Sequence, residues 1–331
     1  MIVFGFGGSG HDFSTSVFQD GKIKCLIEDE RVLRIKHCIS GEAPVKLLKN
    51  PALSYCEKET GISIHDADYL VSNSSLENYY LQRNPRKRDI IAINHHKTHA
   101  ASAFYPSEFK SAAILVIDGS GLSDVEGRHD TISLWQGNEN TMEKLVVHTG
   151  KAIDPKKYKG IIFPDENSIG AFYHIVTCII GFGGFDEGKT MGLAPYGTSK
   201  YYKMLREMVD LGEEGSFIFK EESIISLLEL KNVLDLSDFQ VRADLAYAAQ
   251  CITEEAILHT ARHLKSITNA KYLCLAGGVF LNSVANYKLY KTGMFENIFI
   301  QAASGDNGTS IGAAYYGAYE LGKYQREYSI S

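Results

Sequence analysis

The residues best suited to chemistry lie in the run Asn94-His95-His96-Lys97-Thr98-His99. On a helix starting there, His95 and His99 stand one turn apart and share a face. Two imidazoles on one face hold a divalent cation when a third ligand arrives from elsewhere. The same spacing also suits a polar helix start with hydrogen-bonded histidines, and an isolated His-x-x-x-His favours that plainer role. A second pair, His259 and His263, falls near the end of a long helical pattern. Cationic side chains suit a helix C-terminus, so that pair reads as structural. The first pair differs because it follows a strand-like run and opens a helix. Asp306, in Gly305-Asp306-Asn307-Gly308, lies between a strand and a helix. It either supplies a third ligand or caps the last helix in competition with Thr309. Both roles stay open at this level.

Three strand-like runs end in glycine-rich turns: Gly7-Gly8-Ser9-Gly10, Asp118-Gly119-Ser120-Gly121 and Ala276-Gly277-Gly278. Such turns let backbone N–H groups approach phosphates. Asp118 ends a continuous apolar run and suits a phosphate or metal site, though a simple turn explains it too. Gly277 and Gly278 could hold an adenosine or only allow tight packing. Gly5, Gly7, Gly8 and Gly10 approximate a dinucleotide fingerprint, but a strand pattern follows them instead of a helix, which disfavours that fold. His11 and Asp12 follow the first turn, where either could move a hydroxyl proton. Lys189, in Glu187-Gly188-Lys189-Thr190-Met191-Gly192, lies in a glycine-bounded loop without P-loop spacing and is a candidate nucleotide contact. Glu28 to Glu30 with Arg31, Arg34, Lys36 and His37 form a mixed cluster. It reads as a solvated helix face, or as an anion site if it folds over a cleft.

The elements that must carry these residues alternate in an α/β order. Residues 1–8 and 112–117 read as strands. Residues 14–28 form a hairpin about Asp20-Gly21. Residues 131–136 and 144–148 pair with 112–117. Residues 95–104, 167–181, 201–211, 244–267 and 309–322 read as helices, and 272–276 and 298–301 as further strands. A weak duplication of half-chains is compatible with this order. The basic run 84–88 reads as a solvated loop.

The chain has 331 residues, 44% of them hydrophobic, enough for two lobes with real cores. Its net charge of −6 disfavours a large nucleic acid or an anionic membrane surface as partner. The longest apolar run is far shorter than the ~20 residues that span a bilayer. The six cysteines form no Cys-x-x-Cys pair, so neither a disulfide framework nor a zinc ribbon is expected. No signal-peptide pattern opens the chain, and a cytoplasmic protein with reduced thiols is the expectation.

Taken together, six ordered blocks resemble one family. GFGGSGHDFSTSVFQDGKI with IEDERVLRIKH, then NHHKTHAASAFYPS, VIDGSG, EGKTMGLAPYG, LAGGVFLNSVAN and ASGDNGTSIGAA are similar to the nodulation-type and antibiotic-type O-carbamoyltransferases. The resemblance runs from Ile2 to about Gly322. It implies the two-lobed fold of actin-like and sugar-kinase-like ATPases, as in the subunit that makes threonylcarbamoyl-adenosine in tRNA. Lobes of 1–110 plus 307–331, and of 111–306, would enclose a cleft. It implies a metal, iron, manganese or zinc, on His95, His99 and Asp306. It also implies nucleotide contacts from Gly8, Ser9, Gly10, Asp118, Gly119, Ser120, Gly121, Lys189, Gly277, Gly278 and Asn282, with His11 and Asp12 near the acceptor. The implied chemistry joins carbamoyl phosphate and ATP into carbamoyl adenylate and passes the carbamoyl group to a hydroxyl of a small molecule, sugar or modified nucleoside. The resemblance implies a further carboxy-terminal adenylate-forming domain in typical members, and the expectation from the 331 residues is that this domain is absent. The expectation is therefore a transfer module served by a separate adenylate-forming protein, or a fragment. Residues 122–130 are charged and irregular where the family continues directly. Two other readings remain: a relative of the tRNA threonylcarbamoyl transferase, and a non-catalytic nucleotide-binding subunit.

Overall fold

Alternation in β1 (Ile2–Gly7) sends Val3 to one face and Phe4 and Phe6 to the other, and all three are buried. A strand covered on both faces belongs in the middle of a sheet. The computed structural model, which describes residues 1–39, 46–47, 49–76, 89–121, 126–153 and 165–330, puts it there. Its sheet also contains β2 (Ser14–Gln19), β3 (Lys22–Glu28), β4 (Tyr69–Asn73) and β5 (Ile91–Ile93), in the order β3-β2-β1-β4-β5. β1 to β3 form an antiparallel meander, and β4 and β5 run parallel to β1. The expected hairpin turn is present. Asp20 and Gly21 take φ of 49° and 84°, the paired positive values that match strand twist.

A second sheet repeats this plan. β6 (Ser111–Ile117), β7 (Arg128–Asn138) and β8 (Thr141–Lys151) form the meander. β11 (Tyr272–Ala276) and β12 (Asn297–Ile300) add in parallel, giving β12-β11-β6-β7-β8. The half-chain duplication is therefore real at the level of topology. The expectation that residues 131–136 and 144–148 both pair with β6 needs correction: of these two segments only β7 pairs with β6, whose other neighbour is β11, and β8 pairs with β7. β9 (Asp210–Leu211) and β10 (Phe217–Ile218) make a separate short ribbon. The helix expected over 201–211 spans only Tyr202–Arg206 before β9 begins. The long helix runs from Phe239 to Thr268, between an Asp238 cap and a left-handed Asn269. The basic run 84–88 and residues 122–125 lie outside the described residues. The irregular stretch expected over 122–130 gives way to β7 at Arg128.

Two helices fill the space between the sheets. His95–Phe104 starts at Asn94, whose Oδ1 accepts from Lys97 N at 3.0 Å, and is buried except at Lys97. Thr309–Tyr316 packs on it and on β1. One apolar cluster joins both sheets through these helices, with Val3, Ala100, Ile114, Val116 and Ile311 among its members. The helices cross where Gly312 meets the Thr98 carbonyl. A Cβ there would lie 1.8 Å from that oxygen. Gly312→Ala must push the backbones apart, and we expect it to cost about 3 kcal/mol, read as a lowered denaturation midpoint. An unchanged midpoint would show that the crossing yields freely. Among the described residues no helix is long and apolar enough to cross a membrane.

Candidate functional site

The ends of β1, β6 and β11 open onto one cavity of about 870 Å³. The three glycine turns foreseen in the sequence thus converge, although their residues do different work. Ser9, Gly10, His11 and Asp12 line the cavity. Gly8 does not: its N–H donates to Thr309 Oγ1 at 3.1 Å and its carbonyl accepts from Asn73 Nδ2 at 2.8 Å. Gly119, Ser120, Gly121, Gly278 and Asn282 line the wall. Gly277 is instead a packing residue, with φ of 104° and a notional Cβ 2.2 Å from the Ile117 carbonyl. Lys189 is also elsewhere. It lies in the helix Glu187–Leu193, not a loop, and its exposed Nζ pairs with Asp186 at 2.8 Å.

Four buried side chains meet at the edge of the cavity, His95, His99, Asp118 and Asp306, of which the two aspartates line it. One ligand atom from each lies within 4.8 Å of all the others. The helix start at Asn94 places both histidines on one face, with their Nε2 atoms 3.2 Å apart. Asp306 Oδ1 is 3.4 Å from each Nε2. Its carboxylate thus turns toward the histidines, and no side-chain cap bond from it to the last helix is present. Asp118 Oδ2 is 2.9 Å from His95 Nε2 and 3.7 Å from His99 Nε2, while its Oδ1 accepts from Gly278 N–H at 3.0 Å. From its own context Asp118 suited a phosphate or metal site, and the resemblance placed it among nucleotide contacts; the structure sets it beside both histidines. His96, between the two histidines in sequence, faces away to Ser133 Oγ at 2.8 Å.

The electrostatics follow from burial and charge balance. Burial alone would raise both carboxyls. The His95 and His99 contacts overcome it and hold Asp118 well below the usual carboxylate range. His95 holds Asp306 down in the same way, against the Asp118 charge. Burial opposes charge on His99, but Asp118 and Asp306 push it up to about 9. His96, buried without such partners, falls to about 3. Two anionic carboxylates at a buried site favour a cation beside them, a charge that the His99 imidazolium or a bound divalent ion can supply. A set of two imidazoles and two carboxylates matches the donors that iron, manganese or zinc accept. His99 Nδ1 is buried without a hydrogen-bond partner, so His99 is oriented by packing and by its Nε2 contacts. His95 is oriented by Asn73, whose Nδ2 lies 2.8 Å from His95 Nδ1 and whose Oδ1 accepts from Ser75 N–H at 2.8 Å.

Beside the cluster runs a relay from β1. His11 Nε2 is 3.8 Å from Asp306 Oδ2, and His11 Nδ1 is 2.9 Å from Asp12 Oδ2. Asp12 Oδ1 in turn meets His37 Nδ1 at 2.7 Å. Burial opposes charge on His11, but Asp12 and Asp306 raise its pKa. Burial is likewise overcome at Asp12, which its two histidines hold far below the usual range. Phe185 packs against both rings, with centroids 4.5 Å from His11 and 4.6 Å from His37. The mixed-charge cluster is therefore divided in its roles. Asp29 is buried and accepts from Ala52 N–H at 2.7 Å, Arg31 pairs with Glu28 and Glu30, and His37 joins the site. The pair His259 and His263 stays structural: His259 Nε2 is 2.8 Å from the Gly212 carbonyl.

Asp165 escaped the sequence reading. It lines the cavity at 2% exposure, its Oδ2 has no hydrogen-bond partner, and burial pushes its carboxyl up. Its only sequence signal is an acidic residue just before a helix, which is too common to single out.

Comparison with known proteins agrees with this architecture. Residues 74–315 match the model of the carbamoyltransferase N-terminus family. The uncharacterized protein sll1178 of Synechocystis is 31% identical, over 94% of this chain and 56% of its own length. Nodulation protein NolNO of Sinorhizobium fredii is 28% identical, over 95% of this chain and 47% of its own. The chain thus spans about half the length of these relatives. Full-length HypF in its phosphate- and nucleotide-bound form superposes with a TM-score of 0.63 at 13% identity, covering 97% of this chain and 55% of that one. At that identity the likeness concerns the fold, a two-lobed actin-like ATPase architecture. With three quarters of its length inside the family match, this chain belongs to the carbamoyltransferase N-terminus family.

Proposed function

We propose that this chain carries out O-carbamoyl transfer, moving a carbamoyl group from carbamoyl adenylate to an acceptor hydroxyl. One observation carries the proposal: a buried His95, His99, Asp118 and Asp306 cluster presents its two carboxylates to a glycine-walled cavity in a chain of this family. The nucleotide part of the donor would lie along the turns that present Ser9, Gly10, Gly119, Ser120, Gly121 and Gly278, whose small residues admit phosphate and sugar. Asn282 stands on the same wall, with its amide held by Gln250. Asp165, with one oxygen unpartnered, offers an acceptor to a donor hydroxyl.

His95, His99, Asp118 and Asp306 would hold a divalent cation, which would neutralise phosphate charge and polarise the donor. The acceptor oxygen attacks the carbamoyl carbon. A C–O bond forms, the C–O bond to the adenylate phosphate breaks, and AMP leaves with the electron pair. The hydroxyl proton goes to His11 Nε2, while Asp12 holds Nδ1–H and fixes the tautomer. The other face of Asp12 is steadied by His37.

The test is to supply the purified chain with a divalent metal and synthetic carbamoyl adenylate, and to follow AMP release and carbamoylated product over a panel of sugar and nucleoside alcohols. Metal-dependent, acceptor-dependent AMP release is expected. Tight nucleotide binding without turnover on any acceptor would favour a binding subunit instead. In a parallel ATP-binding titration Lys189→Ala should leave ATP affinity within about twofold, because its exposed side chain pairs with Asp186 outside the cavity. A tenfold loss would place Lys189 on the nucleotide after all.

A further inference from the structure

A second constellation lies outside the proposed chemistry. On the helix Ile169–Ile179, His174 and Cys178 stand one turn apart, with Cys178 Sγ 3.6 Å from His174 Nε2. The far nitrogen of the same ring, Nδ1, lies 2.6 Å from Glu187 Oε1 on the helix Glu187–Leu193. His174 is buried and Cys178 partly exposed. Burial opposes charge on His174, but Cys178 and Glu187 outweigh it and push its pKa up to about 9. An imidazole anchored by a carboxylate on one nitrogen and facing a sulfur on the other is placed to pass a proton to a group leaving that sulfur. The buried thiols have the opposite setting: burial pushes Cys38 and Cys274 up to about 12. Cys25 and Cys251 are partly exposed, like Cys178.

We propose that Cys178 is an activated thiol and a site of peroxide modification, with His174 as its cationic partner and Glu187 as the residue that positions His174. The Cys178 sulfur attacks one peroxide oxygen. An S–O bond forms, the O–O bond breaks, and the departing hydroxide takes the His174 Nε2 proton to leave as water. Sulfur is oxidised to sulfenic acid and the peroxide is reduced. His174 and Glu187 line the cavity wall, so the lost charge changes that wall.

The experiment is a timed reaction of the chain with hydrogen peroxide, trapping of sulfenic acid with dimedone, and mass spectrometry of each cysteine peptide. A parallel series uses iodoacetamide. Cys25 and Cys251 in the same molecule are the internal references. Cys178 is expected to react at least ~10-fold faster than either, given the usual spread of thiol reactivity with environment. His174→Gln should bring Cys178 to within about threefold of Cys251, and Glu187→Gln should slow it at least ~3-fold. Loosened structure would speed every cysteine, whereas loss of the imidazolium slows Cys178 alone. Glu187 is partly exposed, so its variant decides the matter if His174→Gln does not fold. Equal rates at Cys178, Cys25 and Cys251 in the unsubstituted chain, or an unslowed Cys178 in either folded variant, would overturn the assignment.

Discussion

His99→Ala is expected to lose at least ~100-fold in affinity for a divalent cation, since it removes one of four ligands and leaves two buried carboxylates facing each other. Metal analysis after gel filtration reads this directly. Carbamoyl transfer should fall by ~10³-fold or more, because the charge stabilisation supplied by a bound cation is worth several kcal/mol. Asp118→Asn provides the sharper test of the geometry. The family resemblance put Asp118 beside the nucleotide, whereas the structure puts its Oδ2 at 2.9 Å from His95 Nε2. If it belongs to the cation site, Asp118→Asn loses metal as His99→Ala does. If it serves only the nucleotide, metal content stays and ATP affinity drops. Unchanged metal in both variants would refute the cluster as a cation site. Removing metal with a chelator should reproduce the His99→Ala defect, and re-adding it should rescue the unsubstituted chain alone.

The second large effect is expected at His11. His11→Ala should lower the transfer rate by ~10²–10⁴-fold, the usual range for a lost proton acceptor. Cation content and ATP affinity should change by no more than a few-fold, because His11 Nε2 stands 3.8 Å from Asp306 and outside the four-member cluster. Asp12→Asn keeps the shape but loses the charge that holds both His11 and His37. It should lower the rate less than His11→Ala does and leave KM for the donor nearly unchanged. A His11→Ala enzyme that loses its metal would show that the relay supports the cluster and takes no part in proton transfer. One that retains full rate would assign the proton acceptor elsewhere on the wall.

These two tests separate the parts of the site because they lie on separate elements. The cation set draws on a helix start, a strand end and a turn before the last helix. The relay draws on the β1 turn and on His37, after the short helix Asp29–Leu33. Gly312 ties the two halves together, since its close approach to Thr98 fixes the histidine helix against the helix that follows Asp306.

What the sequence alone determined was local. Short apolar runs ending in glycine turns marked β1 and β6, Asp20-Gly21 marked a hairpin, and the spacing of His95 and His99 put them on one helix face. These signals arise from backbone geometry within a few residues, so they are present in any window of the chain. The family resemblance of six ordered blocks added the two-lobed fold and the grouping of Asp306 with the histidines. The tertiary structure decided the rest. Asp118 joins the cluster because β6 and β11 run side by side and Gly278 N–H turns its carboxylate. Gly8 and Gly277 serve packing because their backbones are occupied by Asn73, Thr309 and Ile117. Lys189 falls outside the cavity because its loop is a helix and Asp186 lies within reach. Asp165, His174 and Glu187 come into view only once a wall exists for them to line, and Cys178 through its contact with His174. The physical reason is the same in each case. A long-range contact depends on how two sheets and two helices stack, and sequence separation carries no periodicity that records it.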